Sequence, residues 1–154
     1  MEKKTLPDVK IRILTLKDLP QVAIIQESLI KTKVTPQKMT ILREHIKKEG
    51  NISLVAVLGG QVVGFMISEV MMNSFGLDQS GWIENFGVFP KYMGRGIGQS
   101  LATRLFEEYQ KHQIHEVYTA ARWDSVDLLS FFKSVGFDRS DFINLYKKLE
   151  QKEE

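Results

Sequence analysis

The sequence predicts a single α/β (α+β) domain in which a mixed central sheet carries helices on both faces. Three observations lead there. Strand-like and helix-like periodicities alternate along the chain. Gly59-Gly60 joins two long apolar runs, as in a two-residue hairpin. Gly94, Gly96 and Gly98, at every second position, connect an apolar run ending at Pro90 to an amphipathic stretch.

Each element has its own signal. Val9–Leu14 reads as the first strand. Thr15-Leu-Lys-Asp18 is a capping-box variant that opens a helix running to about Ile30. Thr35 followed by Pro36 is an N-cap with proline at the first helical position, and the second helix runs to about Lys48, before Gly50. Asn51–Leu58 and Gln61–Met71 flank the glycine pair as hairpin strands. Asn73–Ser80 is polar and reads as a loop, and Trp82–Phe89 as the next strand. The helix Gly96–His112 carries Leu101, Leu105, Phe106 and Tyr109 at helical spacing. Ile114–Ala121 reads as a strand and Ser125–Val135 as a short helix with Leu128, Phe131, Phe132 and Val135 on one face. Gly136 ends that helix, and Phe142–Leu149 is a last strand. Residues 1–149 form the domain and 150–154 a charged tail.

Composition narrows the chemistry. At 154 residues the chain can bury one core without disulfides or metal. It has no cysteine, which removes thiolate catalysis and cysteine-ligated metal and fits the cytoplasm. A net charge of +2 is too balanced for nucleic acid as the main partner. No apolar run reaches the roughly 20 residues of a membrane span, and the N-terminus lacks a signal peptide's apolar core. His45, His112 and His115 are scattered without metal-ligand spacing and read as structural; no metal is expected.

The glycine-rich turn aims free backbone N–H groups and the positive end of a helix dipole at one point, which suits a phosphate. It is not a Walker loop: Gly98 is followed by Gln99-Ser100, with no lysine, and position 93 is Met. It is not a dinucleotide fingerprint either, because the third glycine would fall on Gln99 or Leu101. What it resembles is the acyl-coenzyme-A pyrophosphate loop of the GNAT acyltransferase superfamily. Val88 and Pro90 match that family's strand end, and Gly96-Ile97-Gly98 its glycine pair. Met93 stands where the family has Arg or Gln. A second stretch, Leu128 to Phe137, resembles the family's segment ending in Gly-Phe, here Gly136-Phe137. The order of elements is similar over almost the whole chain, which implies a mixed, mostly antiparallel central sheet.

The resemblance implies N-acetyl transfer from acetyl-CoA to a primary amine of a small molecule or protein. It implies cofactor contacts from Phe86, Gly87, Val88, Met93, Gly94, Arg95, Gly96, Ile97, Gly98 and Gln99, with Ser125 and Phe132 at two further positions. Such a reaction needs a neutral amine, a fixed donor for the oxyanion and a proton for the thiolate. The N–H of Val88 is the candidate oxyanion donor. Gly87 permits a bulge or close approach beside it, or relieves crowding against a helix. Glu84 is the candidate base: by strand alternation it shares a face with Trp82, Phe86 and Val88, where burial would raise its pKa. An open strand edge or a structural ion pair is the alternative account of it.

Phe132 stands at the position of the family's tyrosine acid, and Ser125 at that of its coenzyme-contacting asparagine. Ala120 stands where the ribosomal-protein branch places a glutamate. Thiolate protonation then falls to water, Tyr118 or Tyr146. Trp123 and Asp124, at a strand end, are candidate substrate contacts, although Asp124 also suits a helix cap. Met71–Ser80 and the helices between 18 and 48 are the substrate-facing parts by analogy. Alternatives are a non-catalytic acyl-CoA-binding module and an enzyme using a longer acyl group. A homodimer through C-terminal strands is compatible with the pattern.

Overall fold

The computed structural model describes residues 8–72 and 78–152. Five strands, β1 (Lys10–Ile13), β2 (Asn51–Leu58), β3 (Gln61–Met72), β4 (Gln79–Val88) and β5 (Val117–Thr119), form one sheet in the order β1-β2-β3-β4-β5. The first three pairings are antiparallel and β4 to β5 is parallel. Helices α1 (Leu19–Ile30), α2 (Pro36–Lys47), α3 (Ile97–Lys111) and α4 (Val126–Ser134) complete the fold. This is the mixed, mostly antiparallel architecture expected.

Local signals become the expected devices. Asp18 Oδ2 accepts from the Thr15 amide at 2.8 Å and from the Thr15 hydroxyl at 3.1 Å, ahead of α1. Thr35 Oγ1 accepts from the Lys38 amide at 3.2 Å and caps α2, whose first residue is Pro36. Gly59 and Gly60 both have positive φ, 56° and 78°, and close the β2–β3 hairpin between Leu58 and Gln61. At the end of α4 the Phe137 amide donates to Phe132 O at 2.9 Å and the Gly136 amide to Lys133 O at 3.1 Å, a Schellman closure.

Strand alternation, shifted once where the β2–β3 register slips opposite Ala56 and Val57, builds two cores. Leu54, Ala56, Val63, Met66 and Ile83 meet Ile97, Leu101, Leu105 and Tyr109 of α3 and Phe132 of α4. Val55, Val62, Phe65 and Ile67 meet Leu19, Val22 and Ile25 of α1, with Met39, Leu42 and Ile46 of α2 packed against them. The two helical layers therefore sit on opposite faces of the sheet.

The link between β1 and α1 rests on one buried carboxylate. Asp18 is 4% exposed and forms a two-point ion pair with Arg12 at 2.7 and 2.8 Å. The Arg12 guanidinium, and then the Thr15 donors, hold its carboxyl below the usual range against the cost of burial. A depressed folded pKa means that this contribution is complete above 3.8 and is lost as pH falls through the folded value. Asp18→Ala leaves the Thr15 amide and Arg12 without their acceptor. It is expected to cost about 1–3 kcal/mol in urea unfolding at pH 7, and less at pH 3.

Three expected elements differ. β4 begins at Gln79, so the expected loop is shorter by its last residues; 73–77 lie outside the described residues. β5 keeps only three residues of the expected Ile114–Ala121. The expected strand Phe142–Leu149 is not formed: 142–149 have no regular structure and are exposed, and no described strand pairs with them.

Candidate active site

β4 and β5 part company halfway. Gly81, Trp82 and Ile83 pair with Val117, Tyr118 and Thr119, and the Thr119 hydroxyl donates to Ile83 O at 2.9 Å. From Glu84 to Val88 no described strand pairs with that edge of β4. The Phe89 amide donates to Val63 O on β3 at 2.9 Å. Amides alternate in direction along a strand, so the Val88 N–H points to the opposite, open edge. Two strands thus diverge into a slot with a backbone donor on one wall.

The expected common face of Trp82, Glu84, Phe86 and Val88 is not realised. Ile67 pairs with Asn85 and Ser68 with Ile83, so Glu84 is the extra residue of a β-bulge. The bulge reverses the alternation. Phe86 and Val88 pack with the α3–α4 core, whereas Glu84 reaches His45 of α2. Gly87, read as a bulge or as relief of crowding against a helix, is regularly paired with Phe65. A Cβ there would lie 2.7 Å from Leu29 Cδ1 and 3.0 Å from Phe65 Cε1, so this glycine relieves crowding against α1.

The bulge assembles a cluster that no sequence spacing announces. His45 Nε2 lies 2.7 Å from Glu84 Oε2 and 3.8 Å from Glu69 Oε2, and Lys48 Nζ lies 3.5 Å from Glu69 Oε2. His45 Nε2 is buried but aligned with neither carboxylate as a hydrogen bond. Glu84 keeps 38% of its side chain exposed, less burial than its flanking aromatics suggest. Partial burial, then the adjoining Glu69 carboxyl, push its pKa up to about 7, with Lys48 opposing. Glu84 can therefore exist in both protonation states near neutrality. His45, Glu69 and Glu84 are also the residues among those described whose ligand atoms lie close enough to hold a metal ion. The one sequence signal for His45 is its place beside Leu42 and Ile46 on the inward face of α2.

On the other side of β4, the glycine turn has the shape expected of it. Gly94 and Gly96 have φ of 76° and 80°, and Gly96 is the N-cap of α3 without a side chain to cap it. The first α3 amide to find a backbone partner is that of Ser100, which donates to Gly96 O at 3.0 Å. Among the described residues the amides of 94 to 99 have no backbone acceptor, as at any uncapped helix start. Met93, Arg95 and Gln99 are exposed around them, while the Ile97 side chain is core. A Cβ on Gly98 would lie 2.9 Å from Phe86 Cζ and 2.8 Å from Phe131 Cε2. The turn therefore abuts the strand that lines the slot.

The remaining candidates scatter. Ser125 is the N-cap residue of α4 but makes no side-chain cap. Phe132 is 6% exposed within an aromatic group, 5.2 Å from Phe131 and Phe137. Trp123 is 88% exposed. Asp124 does not cap α4; Arg122 takes both its oxygens at 2.9 Å. Tyr118 stacks on Trp82 at 5.0 Å, and Tyr146 lies exposed in the C-terminal segment.

Known proteins share this architecture. The acetyltransferase (GNAT) family model matches residues 22–137. An aminoglycoside acetyltransferase from an uncultured soil metagenomic sample is 22% identical with a TM-score of 0.79, over 93% of this chain and 97% of its own. A ribosomal-protein-alanine N-acetyltransferase from Brucella melitensis biovar Abortus 2308 is 18% identical at 0.75, over 92% and 99%. An aminoglycoside N-acetyltransferase in complex with CoA is 15% identical at 0.78, over 91% and 94%.

Proposed function

The chain belongs to the acetyltransferase (GNAT) family, and on that premise we propose that it moves the acetyl group of acetyl-CoA to a primary amine of a small molecule or protein. The observation that carries this reading is the adjacency of an amide-lined turn and an open strand edge, with an ionisable carboxylate at the bulge between the two halves of β4.

The residues fit an acyl-CoA. Amides of 94 to 99 offer a cradle for a pyrophosphate, with the α3 dipole and the exposed Arg95 adding positive potential. No lysine is needed where backbone donors converge, and Met93 leaves them open. The bound thioester supplies an activated acyl group. Along β4, the N–H of Val88 is the donor for negative charge developing on a carbonyl oxygen, and Phe86 and Gly87 form the wall beside it. Glu84 takes the proton of the attacking amine, through a water where the two are apart. Trp123 and Asp124 contribute to the acceptor side. No metal is needed for these steps.

Among the described residues no helix is long and apolar enough to cross a membrane. A cytoplasmic enzyme, working without nucleic acid or membrane, is our reading from composition.

Release of coenzyme A, measured over a panel of amines with acetyl, propionyl and succinyl thioesters, tests the proposal. Turnover with acetyl-CoA and at least one amine is expected. The buried Phe132, which has no proton to give, is the observation that favours the binding-module reading. Tight acetyl-CoA binding without turnover on any amine would support that reading instead.

A further inference from the structure

His45, Glu69 and Glu84 come from three elements, α2, β3 and β4, and bring three lone-pair donors to one point. His45 Nε2 lies 2.7 Å from Glu84 Oε2 and 3.8 Å from Glu69 Oε2. All three ligand atoms fall within 4.8 Å of one another. A proton donated by the imidazole is the ordinary way to hold such a group together. That bond is not made: His45 Nε2 is closed to solvent and finds no hydrogen-bond partner among the described residues. A buried ring nitrogen without a partner costs free energy, and two adjoining carboxylates disfavour each other's charge. The cluster calls for a positive charge that its own hydrogen bonds do not supply.

Lys48 answers only part of that demand. Its Nζ lies 3.5 Å from Glu69 Oε2, at the limit of a hydrogen bond, on a side chain 64% exposed. Such a surface pair is weak, and the lysine can move aside at little cost.

The dimensions suit a divalent transition cation. Zinc holds nitrogen and oxygen ligands at about 2.0–2.2 Å, which puts the donors of a tetrahedral site roughly 3.4 Å apart. The observed 2.7 and 3.8 Å bracket that spacing, so small rotations of the two glutamate side chains close the site. One imidazole with two carboxylates, and no sulfur, matches zinc and its first-row neighbours better than calcium or copper(I). His45 stands in the last turn of α2, where the helix dipole favours a cation. Glu84 is 38% exposed, which leaves a side open for water as a further ligand.

We propose that His45, Glu69 and Glu84 form a binding site for a divalent transition cation, with Zn²⁺ as its probe, and that occupation of this site stops acetyl transfer. The ion takes the Glu84 lone pair that otherwise accepts the amine's proton. It is therefore an inhibitor and not a cofactor. The inhibition rests on the acetyltransferase reading; binding of the ion does not. Glu84 faces α2, whereas the amide-lined turn adjoins β4 from the α3 side. Zinc should accordingly compete with the amine and leave the affinity for acetyl-CoA unchanged.

Calorimetric titration of untagged, chelator-stripped protein with zinc chloride should show one ion bound per chain, and zinc should raise the Tm. Cobalt(II) chloride should give the visible absorption of a four- or five-coordinate ion, which added zinc bleaches. His45→Gln and Glu69→Gln should each weaken zinc binding by more than the roughly 10–100-fold typical of losing a supporting hydrogen bond. His112 and His115 are the other histidines of the chain, and replacing both with glutamine should change nothing. In the transfer assay zinc should inhibit the wild type, and EDTA should restore it. Each ligand variant, measured against its own zinc-free rate, should resist.

Wild-type protein that binds no zinc would overturn the proposal and leave the cluster an ion pair. So would binding that persists in both ligand variants, or that is lost with His112 and His115. Should the ligand variants fail to fold, the cobalt spectrum and the zinc-induced shift of the His45 ring signals in wild-type NMR spectra decide the site. An active enzyme that binds zinc at full rate would overturn the inhibition. Absence of acetyl transfer without zinc would count against the function, and the calorimetry and the spectrum would still decide the site.

Discussion

Glu84→Gln is expected to lower kcat by about 100-fold or more, with affinity for acetyl-CoA nearly unchanged. The split follows from position. Glu84 lies in the bulge facing α2, whereas the amide-lined turn adjoins β4 from the α3 side. The pH dependence gives a second readout. With the Glu84 pKa pushed up to about 7 by partial burial and then by Glu69, the wild-type rate should fall as pH drops through that value, because the base gains its proton. The glutamine variant should lack that limb.

Stability moves in the opposite sense. A carboxyl whose folded pKa is raised from 4.5 to about 7 makes the folded state bind more protons than the unfolded state between those values. Stability then declines as pH rises across the window. Glu84→Gln removes that decline, so the variant should gain thermal stability relative to wild type at pH 8 and not at pH 4. Unchanged turnover, or lost acetyl-CoA binding, would take Glu84 out of the base role.

The bulge explains where the sequence was legible and where it was not. Gly59-Gly60, Thr35-Pro36 and the glycines at 94 and 96 announce their geometry because few residue types tolerate it, and each is found as expected. The Glu84 bulge has no such mark. It arises from how Ile67 and Ser68 pair with Asn85 and Ile83, a relation between strands that neither strand encodes alone. Strict alternation therefore placed Glu84 with Phe86, and of the two readings of Gly87, a bulge or relief of crowding against a helix, the second holds, since a Cβ there would meet Leu29. His45 escaped for the same reason: it meets Glu69 and Glu84 only once α2, β3 and β4 are assembled. Phe142–Leu149 shows the converse, since its composition is that of a strand but strand formation needs an edge to pair with.

Gly96→Val should abolish measurable acetyl-CoA binding while the free protein stays folded. At φ 80° and ψ 6° a β-branched residue is a steric outlier. Strain of about 1–3 kcal/mol corresponds to roughly 5- to 150-fold in affinity when it is relieved by leaving the binding geometry. A side chain at the N-cap of α3 adds a block over the amides themselves. Two neighbouring glycines give the comparison. Gly94→Ala meets nothing within 4 Å, so only its positive φ is penalised and binding should weaken modestly. Gly98→Ala drives a methyl to within 2.8 Å of Phe131 and 2.9 Å of Phe86, so its first effect should be a lower Tm. Calorimetric titration with acetyl-CoA, paired with thermal unfolding of each free variant, separates a damaged cradle from damaged packing. Normal binding by Gly96→Val would show that the turn does not hold the pyrophosphate, because a cradle of backbone donors cannot accept an isopropyl group at its centre and keep its ligand.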